Sequence, residues 1–463
     1  MKLKNKILIL GILATIFYFF MTLIPYRLNS IGLPRIVAFL LFINFGLQLI
    51  YLLTWRQILK HPLEKKLIKL IIFFTIIFSL ILILIPPIGS RDVYNYILRA
   101  RIFTVYHENP YLLTTENFPD DIFFSFSPPQ WNYLSMQYGP LWSVISIIFS
   151  FLAKNNFFWN VFFYKILALL TNFGIIYFLS KILKKTSPAY ELTGIYLYAW
   201  NPLILFETLN NAHNDILMVF FVIVAIYLFM QKKFIFSMII LFSSVLVKYI
   251  TIILLPIFLI LIIKETCSLR EKIKFLLKIM IVFSLITIIF YFPFWEGLKT
   301  FNGLLLQSRL ENIKNLSLFT FFIFGGLYGI KKFFFWSTKF ILDITRIIGG
   351  VIFFILYCWQ LIHLKKTCAR NIIYYIFLIL SFLTLTLVFL QPWYFLWLLP
   401  LAILINNPYI TLSVFAFTFI GLISYTPFDM SFSMALTFII ILFLSIIFGK
   451  RYFLIDFFSK KIK

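Results

Sequence analysis

A carboxylate with arginines nearby on one predicted helix is the first group in this sequence that could do chemistry. The segment Ser90-Arg91-Asp92-Val93-Tyr94-Asn95-Tyr96 follows an apolar run, and Arg99 and Arg101 come directly after it. At helical spacing one face carries four of these side chains, Asp92, Asn95, Tyr96 and Arg99. An acid one or two turns from an arginine can act as a base beside an anion site. The alternative is a solvated interfacial helix with Asp92 in its first turn, where the helix dipole favours an acid.

A second group of polar residues interrupts the apolar sequence further along the chain. Asn201-Pro202 is followed by Glu207 and then by Asn210-Asn211-Ala212-His213-Asn214-Asp215. One of the two adjacent asparagines could cap a helix whose first turn holds the aspartate. Such a cap gives no reason for Glu207 or for the histidine. Because ionisable groups near membrane depth are costly, we interpret this segment as a candidate functional site.

Three further motifs have both a chemical and a plain structural explanation. Lys248 follows Val247 between two apolar runs, and it could snorkel to the membrane interface or meet an anion. Gln391-Pro392-Trp393-Tyr394 fits an interfacial aromatic belt, and stacking on a sugar is the alternative. Asn109-Pro110-Tyr111 is typical of a turn, and locally a plain loop corner is favoured.

The elements that must position these residues are apolar helices. Of the 463 residues, 62% are hydrophobic and only 12% are charged, so charges occur in short breaks between apolar runs. Runs of about 20 apolar residues can cross a hydrocarbon core of ~30 Å, and in lipid only a helix satisfies its own backbone. We predict an all-α, polytopic transmembrane helical bundle of about 11–14 membrane helices, because the runs lack the alternation of barrel strands. The runs lie at residues 7–25, 36–54, 68–88, 157–180, 190–206, 214–230, 234–248, 250–263, 273–294, 347–362, 371–390, 393–405, 409–425 and 432–448.

The positions of lysine and arginine predict how the helices are oriented in a cell membrane. The lysines among the first six residues favour a cytoplasmic N-terminus, and the run after them lacks a small-residue cleavage site, so we expect it to be retained. The segment 89–138 then faces the extracytoplasmic side, and a loop of this length is usually functional. Two short apolar stretches, 139–153 and 316–330, are predicted to be juxtamembrane or re-entrant helices.

Composition also limits the domain organisation and the class of function. No Gly/Ser/Pro-rich linker divides the chain, so we predict one integral membrane domain, 1–463, of which 1–67 supplies two leading helices. The net charge of +25 fits helix ends at a surface of anionic lipid, not nucleic acid. Three cysteines without motif spacing offer no metal site. Neither a G-x-x-x-x-G-K-[ST] loop nor H-E-x-x-H or G-x-S-x-G occurs, which disfavours a nucleotide-driven pump, a metalloprotease and a serine hydrolase.

The order of these motifs resembles that of GT-C fold glycosyltransferases that use polyprenyl-phosphate sugars, nearest to the prokaryotic alpha-mannosyltransferase branch. The likeness covers roughly residues 85–405 and consists of Asp92-Val93-Tyr94, Asn109-Pro110-Tyr111, Tyr138-Gly139-Pro140-Leu141, Asn201-Pro202-Leu203, Glu207, Ala212-His213-Asn214-Asp215, Val247-Lys248 and Trp393-Tyr394-Phe395-Leu396-Trp397-Leu398-Leu399-Pro400. Ala212 stands where that branch usually has Gly, and Ala100-Arg101 where it often has Gly-Arg. The two leading helices look like an addition to the branch.

The resemblance implies a membrane enzyme that moves a hexose, mannose in that branch, from a polyprenyl-phosphate donor to a glycan, lipid or protein acceptor outside the cytoplasm. Asp92 would be the general base of an inverting displacement, with positioning more important than a raised pKa. Donor phosphate binding is expected from Lys248, Arg99, Arg101 and His213. Sugar or acceptor binding is expected from Tyr94, Asn109, Tyr111, Asn201, Glu207, Asn211, Asp215, Trp393 and Tyr394. No metal and no cofactor is expected, because Lys and Arg can neutralise a phosphate.

Other functions remain open at this point. A flippase or transporter of lipid-linked saccharides would need ionisable residues along a path at mid-membrane, whereas here most lie at the ends of apolar runs. A polymerase or ligase of surface polysaccharide also uses a lipid carrier and a large outer loop, but its loop would come late in the chain. A scaffold without activity gives no reason for Glu207, His213 and Asp215 to cluster.

Overall fold

Helices make up almost all of the regular secondary structure in the described part of this chain. The structure is a computed structural model that describes residues 3–24, 33–61, 63–265, 268–307, 316–334, 336–364 and 371–425. Over these residues there is no β-strand, which confirms the predicted all-α fold. The predicted apolar run 432–448, the break Lys365 to Arg370 and the tail Lys460 to Lys463 lie outside the described residues.

The helices are numbered here in chain order along the described part. Their bounds are α1 Leu3–Met21, α2 Leu33–Leu59, α3 Leu67–Leu84, α4 Asp92–Thr104, α5 Pro140–Ala153, α6 Phe157–Thr186, α7 Glu191–Ala199, α8 Pro202–Leu205, α9 Asp215–Met230, α10 Phe234–Val247, α11 Leu255–Glu265, α12 Leu269–Tyr291, α13 Asn302–Gln307, α14 Leu318–Phe334, α15 Thr338–Leu364, α16 Ile372–Thr386, α17 Leu399–Ile405 and α18 Pro408–Ile423. A π-helical turn, Phe206–Asn210, continues α8. Turns of 3-10 helix, Tyr249–Leu254 and Pro392–Trp397, precede α11 and α17.

Six of the described helices are long and apolar enough to cross a membrane, namely α1, α2, α3, α6, α12 and α15. A seventh crossing results if α8 with its π turn and α9 are taken as one span, which is bent by 119° at the break. Further apolar helices of 10–17 residues lie between them. A polytopic membrane protein is thereby confirmed, while the count of about 11–14 crossings stays a prediction.

Contacts at the ends of α3, α6 and α7 define two ends of the bundle. At one end Lys65, before α3, and Lys184, in the last turn of α6, each lie 3.3 Å from the Glu191 carboxylate at the start of α7. At the other end, which we call the Asp92 end, the Lys165 ammonium of α6 donates to the last carbonyls of α3. The segment between α3 and α6 therefore begins and ends at the Asp92 end, while the juxtamembrane or re-entrant position of 139–153 stays a prediction.

The chain returns to the Asp92 end through α7, α8 and the π turn, about 30 Å at helical rise. The predicted run 190–206 is thus two helices, because Asn201 stops α7 and caps α8. Its side chain accepts a hydrogen bond from the Ile204 N–H, and Pro202 occupies the first helical position, where a missing N–H costs nothing. Helix α9 then leads away from the Asp92 end and α10 leads back to it.

Helix α15 begins at Thr338, well before the predicted run at 347–362. Arg346 and Asp343 lie three residues apart in this early part and form an ion pair of 2.7 Å. Charged residues ended the apolar run in the sequence, whereas an i,i+3 pair allows the helix to continue through them.

The two leading helices pack onto the rest of the bundle. Buried amides of α2 donate to the carbonyls of α18, Asn44 to Leu422 at 3.3 Å and Gln48 to Phe415 at 3.1 Å. The α2 segment is therefore joined to the C-terminal helices by hydrogen bonds in the protein interior.

Candidate active site

Asp92 opens helix α4, which is buried along most of its length. Every residue from Asp92 to Ile102 is buried. The Asp92 side chain keeps 12% of its surface exposed, and it lines two cavities. The acid does lie in the first helical turn, but the alternative of a solvated helix is wrong, since the whole face is covered by the bundle.

Two adjacent asparagines hold the chain segment that leads into Asp92. Asn210 Oδ1 accepts from the Ile88 N–H at 2.9 Å, and Asn211 Oδ1 accepts from the Gly89 N–H at 3.0 Å. Neither asparagine caps α9, whose N-cap residue Asn214 makes no side-chain cap hydrogen bond. The interpretation of these asparagines as a helix cap is therefore wrong, because the approaching backbone before Asp92 takes their hydrogen bonds.

Burial raises the pKa of Asp92 to about 6. Loss of water around the carboxylate is the largest cause, and the negative charge of Asp215 adds to it. The Lys248 ammonium, a hydrogen bond with the Trp131 side chain and the Arg99 guanidinium act in the opposite direction. An acid with this pKa is still ionised near neutral pH and is a stronger base than an ordinary aspartate. The expectation that positioning outweighs a raised pKa is therefore incomplete.

A break in the backbone brings the second polar group to the Asp92 end. After the π turn, Ala212 has a φ of +58°, in the left-handed region, and α9 then starts at Asp215. Glycine adopts this conformation without the steric cost that a Cβ brings. The need for a left-handed residue explains why glycine is usual here in the branch that this chain resembles. Asp215 lies in the first turn of α9, as predicted.

His213 lies between two carboxylates. Its Nδ1 is 3.7 Å from Asp92 Oδ2, and its Nε2 is 3.4 Å from Glu207 Oε2. The buried imidazole also stacks on the Trp393 indole, with ring centroids 4.0 Å apart. On its far side Glu207 accepts from the Tyr425 hydroxyl, at 2.7 Å and 2.9 Å to its two oxygens. Asp92, His213, Glu207 and Tyr425 thus form a continuous polar row.

Asn211 joins this row to the backbone before Asp92. Its Nδ2 donates to Glu207 Oε2 at 2.9 Å, while its Oδ1 holds the segment described above. Asn211 and Glu207 are completely buried and line neither cavity. The geometry gives both residues an organising position behind the cavities and not in their walls.

Lys248 forms an ion pair with Asp215 at the end of α10. The Nζ–Oδ1 distance is 2.7 Å, and the Trp397 Nε1 donates to the same oxygen at 2.6 Å. The ammonium also lies 5.1 Å from the ring centroid of Tyr394, within cation–π range. Of the two explanations for Lys248, contact with an anion is therefore the correct one. Because an ammonium has three N–H groups and this one lines a cavity, it can bind a second anion.

A close backbone contact fixes the position of Lys248 against the outer segment. The Gly139 N–H donates to the Val247 carbonyl at 3.1 Å. A Cβ on Gly139 would lie 2.1 Å from the Leu246 carbonyl oxygen, so only glycine permits this approach. The Tyr138-Gly139 step thereby places Tyr138 beside the Lys248 ammonium, which lies 6.0 Å from its ring centroid.

Two cavities meet at Asp92. Both are lined by Asp92, Trp131, Phe389 and Trp393. The first, of about 300 Å³, continues along Lys248, Tyr138, Tyr394, Ile250, Ile253 and Leu387. The second, of about 400 Å³, continues along Arg91, Gln130, Gln391, Ser424 and Tyr425. We call them the lysine cavity, which is largely apolar, and the polar cavity; the Asp92 carboxylate lies in the wall between them.

Neither of the arginines predicted to bind the donor phosphate lines the lysine cavity or the polar cavity. Arg99 Nη2 donates to the carbonyls of Trp131 and Leu134, at 3.3 Å and 3.1 Å. Arg101 forms an ion pair of 2.8 Å with Asp121. Both guanidinium groups therefore hold the outer segment in place, and Arg99 acts on Asp92 only through its charge.

Four of the predicted sugar-binding residues also lie away from the two cavities. Tyr94 packs against phenylalanine rings, and Asn109 forms the turn expected for Asn-Pro by accepting from the Tyr111 N–H. The Tyr111 hydroxyl is buried against a carbonyl and a serine hydroxyl. Asn201 caps α8 and donates to Thr418 at 2.7 Å. These contacts are those of structural residues.

The structure brings together Asp92, Lys248, Trp393 and Tyr394 in the cavity walls, with His213, Glu207, Asn211 and Asp215 directly behind them. Contributors outside the predicted set are Trp131, Tyr138, Trp397 and Tyr425. Tyr138 and Trp397 belong to motifs of the resemblance and could have been included. Trp131 and Tyr425 stand alone in their segments, so only the fold reveals them.

An all-α membrane bundle with a carboxylate, an ammonium and aromatic rings around two joined cavities defines an integral membrane protein with a built polar site at one end. This chain belongs to the alpha-(1->6)-mannopyranosyltransferase family. Residues 27–264 match the N-terminal domain of that family, and residues 323–451 match the MptB C-terminal domain. The first match starts at residue 27 and takes in α2. The expectation that both leading helices are an addition is therefore wrong for α2.

A curated relative agrees with this family assignment. It is described as a probable alpha-(1->6)-mannopyranosyltransferase of Mycolicibacterium smegmatis and is 29% identical over 139 residues. The match spans 30% of this chain and 24% of the relative, about a quarter of its length. The two matched regions of the present chain meet at the site, where Tyr425 contacts Glu207 and Trp397 contacts Asp215.

Proposed function

We propose that this protein transfers mannose from a polyprenyl-phosphate donor to a glycan hydroxyl on the extracytoplasmic side of a cell membrane. The observation that carries the proposal is the position of Asp92 in the wall between the lysine cavity and the polar cavity. A transferase needs a base at the point where two substrates meet, whereas a carrier needs a path across the bundle. The family supports mannose as the sugar and an α-1,6 linkage in the product.

The lysine cavity suits the donor. A polyprenyl-phosphate sugar combines an apolar tail, one anionic phosphate and a polar ring. The cavity offers apolar side chains such as Ile250 and Leu387, the Lys248 ammonium, and the rings of Trp393 and Tyr394. Lys248 has N–H groups left for a phosphate oxygen after its pair with Asp215, and a charge-assisted hydrogen bond of this kind is strong.

The polar cavity suits a glycan acceptor. Its walls carry hydrogen-bonding side chains, including Arg91, Gln130, Gln391 and Ser424, which match the hydroxyl groups of a sugar. Trp131 and Trp393 belong to both cavities, so each ring can contact a sugar in either cavity, and one face of the Trp393 indole is already stacked on His213. An acceptor in this cavity presents its hydroxyl group to the Asp92 carboxylate.

The reaction follows from these positions. The oxygen of the acceptor hydroxyl attacks the anomeric carbon of the donor, and Asp92 accepts the proton of that hydroxyl. The bond to the phosphate oxygen breaks, its electron pair leaves with the phosphate, and Lys248 stabilises the added charge. A base and a leaving group on opposite faces of the sugar invert the anomeric carbon. An α-linked product therefore requires a β-linked donor.

The test compares two donors with the purified protein in proteoliposomes. Radiolabelled mannose is supplied either on a short synthetic polyprenyl phosphate or as a nucleotide sugar, with an α-1,6-linked oligomannoside as acceptor. We expect a product one mannose longer, 6-linked by methylation analysis, from the lipid donor alone. Transfer from the nucleotide sugar alone would contradict the proposal of a polyprenyl-phosphate donor. Movement of the lipid donor across the bilayer without transfer would indicate a flippase.

The side of the reaction is tested by labelling single cysteines in a chain whose own cysteines are replaced by serine. Gln130, in the polar cavity, and Lys65, at the opposite end of the bundle, are each exposed in part. In intact cells a membrane-impermeant thiol reagent should label position 130 and leave position 65 unlabelled. The reverse pattern would place the site in the cytoplasm.

A further inference from the structure

His213 has no ordinary structural reason to lie where it does. Its imidazole is fully buried, and neither ring nitrogen makes a hydrogen bond of normal length within the described residues. Each nitrogen faces a carboxylate oxygen, Asp92 at 3.7 Å and Glu207 at 3.4 Å. A buried histidine kept for packing is usually hydrogen-bonded, so an imidazole aimed at two acids needs another explanation.

The surroundings of Glu207 decide which nitrogen of His213 carries the proton. Glu207 accepts from the Tyr425 hydroxyl and from Asn211 Nδ2, which fits a carboxylate that accepts only. The nearest further donor is His213, so we assign the hydrogen to its Nε2, which faces Glu207 at 3.4 Å. Its Nδ1 then has a lone pair directed at Asp92 Oδ2.

We propose that His213, oriented by Glu207, is a positioning residue that stabilises Asp92 in its protonated form. The inference rests on the proposed function and extends it to the fate of the proton. A lone pair facing an ionised carboxylate gains nothing, but it accepts a hydrogen bond as soon as that carboxylate is protonated. The contact therefore strengthens as the acceptor proton arrives, which is the condition for stabilising a transition state.

The proton is accounted for at each step. It leaves the acceptor hydroxyl as the new glycosidic bond forms, and it is bound by Asp92 with His213 Nδ1 as its hydrogen-bond acceptor. The phosphate departs with the electron pair of the broken bond. When the product leaves, Asp92 returns the proton to water entering the polar cavity, and the pair is ready for another acceptor. Contacts longer than 3.2 Å in a ligand-free site often shorten once substrate is bound.

Other groups also face Asp92 and must be held constant in any test. The charged ones are Lys248, Asp215 and Arg99, and the titratable tyrosines are Tyr96, Tyr138, Tyr394 and Tyr425. All of them remain in the variants proposed below. A change between these variants and the parent protein therefore belongs to His213 and Glu207.

The decisive variant is His213→Phe, which keeps a ring to stack on Trp393 and removes both nitrogens. We expect kcat to fall about 10- to 100-fold, with KM for both substrates little changed, since the lost contact forms with the transition state. Loss of the Nδ1 acceptor also disfavours protonated Asp92. The acid limb of kcat/KM should therefore move to lower pH, although the plateau rate is reduced.

Glu207→Gln is the second variant. It changes the contact between His213 Nδ1 and Asp92 by changing which ring nitrogen carries the proton. A glutamine amide can donate to Nε2, which shifts the histidine proton to Nδ1 and stabilises ionised Asp92. This variant should lower kcat and move the acid limb in the same direction. The double variant should be no slower than His213→Phe alone, because both changes remove one interaction.

Controls separate this inference from the proposed function and from simple misfolding. His363→Phe, an exposed position on α15 that lines neither cavity, should behave like the parent protein. If the parent transfers no sugar, the proposed function fails first. If it does, a His213→Phe protein with parental kcat, or one with reduced kcat but an unmoved acid limb, overturns the role of His213. If His213→Phe does not fold, Glu207→Gln decides by kcat, because removal of the Glu207 charge moves the acid limb by itself.

Discussion

Lys248 and Asp215, 33 residues apart in sequence, are joined by a contact of 2.7 Å between Nζ and Oδ1. The Asp215 side chain is 1% exposed, while that of Lys248 is 17% exposed and lines the lysine cavity. The carboxylate thus lies behind the ammonium and fixes it toward the cavity. A buried pair is worth little as a source of stability, so its value here is the placement of a positive charge.

Replacement of this lysine tests that placement. Lys248→Gln should lower kcat/KM for the lipid donor by about 10²- to 10³-fold, because the leaving phosphate loses its stabilising charge. It should also lower the thermal stability in detergent, since Asp215 is left as an unpaired buried charge. Adding Asp215→Asn should restore stability without restoring activity. Lys299→Gln, an exposed position with the same charge change, is the matched control. Equal activity of both glutamine variants would exclude Lys248 from donor binding.

Removal of the proposed base should abolish most of the transfer while leaving the protein folded. Asp92→Asn keeps the size of the side chain and removes its ability to take a proton, so kcat should fall by about 10²- to 10⁴-fold. Asp120→Asn is the control, because that exposed acid lies in the same outer segment and lines neither cavity. Both rates are measured in the proteoliposome assay. If Asp92→Asn retained its activity, Asp92 would not be the general base.

The pH dependence of transfer follows from the state of Asp92. Its pKa is raised to about 6, chiefly by burial, and the base is active only when ionised. Activity should therefore rise with pH, reach half its plateau near pH 6 and be nearly constant above pH 7. The measurement is kcat/KM between pH 4.5 and 8 at constant ionic strength. A half-maximum near pH 4, the range of an ordinary aspartate, would contradict the burial argument.

The left-handed conformation of Ala212 predicts an unusual stabilising substitution. Ala212→Gly should leave stability unchanged or raise it by about 1 kcal/mol, because relief of the Cβ strain offsets the added freedom of the unfolded chain. Ala225→Gly, inside α9, should instead lower stability by about 1 kcal/mol or more through lost helix propensity. Thermal unfolding in detergent compares the two. If Ala212→Gly lost as much stability as Ala225→Gly, the backbone of Ala212 would not be strained.

The close approach at Gly139 predicts a local effect on the lysine cavity. Gly139→Ala forces the Leu246 carbonyl away, and the end of α10 with Lys248 moves with it. We expect a higher KM for the lipid donor and a clear loss of stability. Gly350→Ala, in α15, has open space for a Cβ, so donor kinetics should not change and stability should be unchanged or higher. Unchanged donor kinetics in Gly139→Ala would show that this contact does not position Lys248.

Local chemistry in the sequence was sufficient for several elements. Apolar runs bounded by charges predicted helices that the structure contains, and the Asn-Pro pair at 109 predicted a turn. Where ionised residues formed a local pair, as Arg346 does with Asp343, the helix began earlier than the apolar run suggested. The helix start differs from the prediction because hydropathy depends on composition alone and does not include ion pairs between residues on the same helix.

The roles of individual polar residues depended on contacts that sequence does not specify. Arg99 and Arg101 have the right charge for a phosphate, yet the outer segment folds back onto both of them. Asn210 and Asn211 are residue types that often cap helices, yet their side-chain oxygens accept hydrogen bonds from the backbone before Asp92. In each case a competing partner from another segment of the chain contacts the side chain.

The sequence by itself determined that this chain is an apolar helix bundle with a few costly polar residues at helix ends, because the period and length of apolar runs are local properties. It also determined the identity of the acid, the ammonium and the aromatic rings that could act together. Only the tertiary structure decided that Asp92 separates two cavities and that His213 bridges two carboxylates. These relations join segments more than a hundred residues apart, and their geometry is set by how the helices pack against one another.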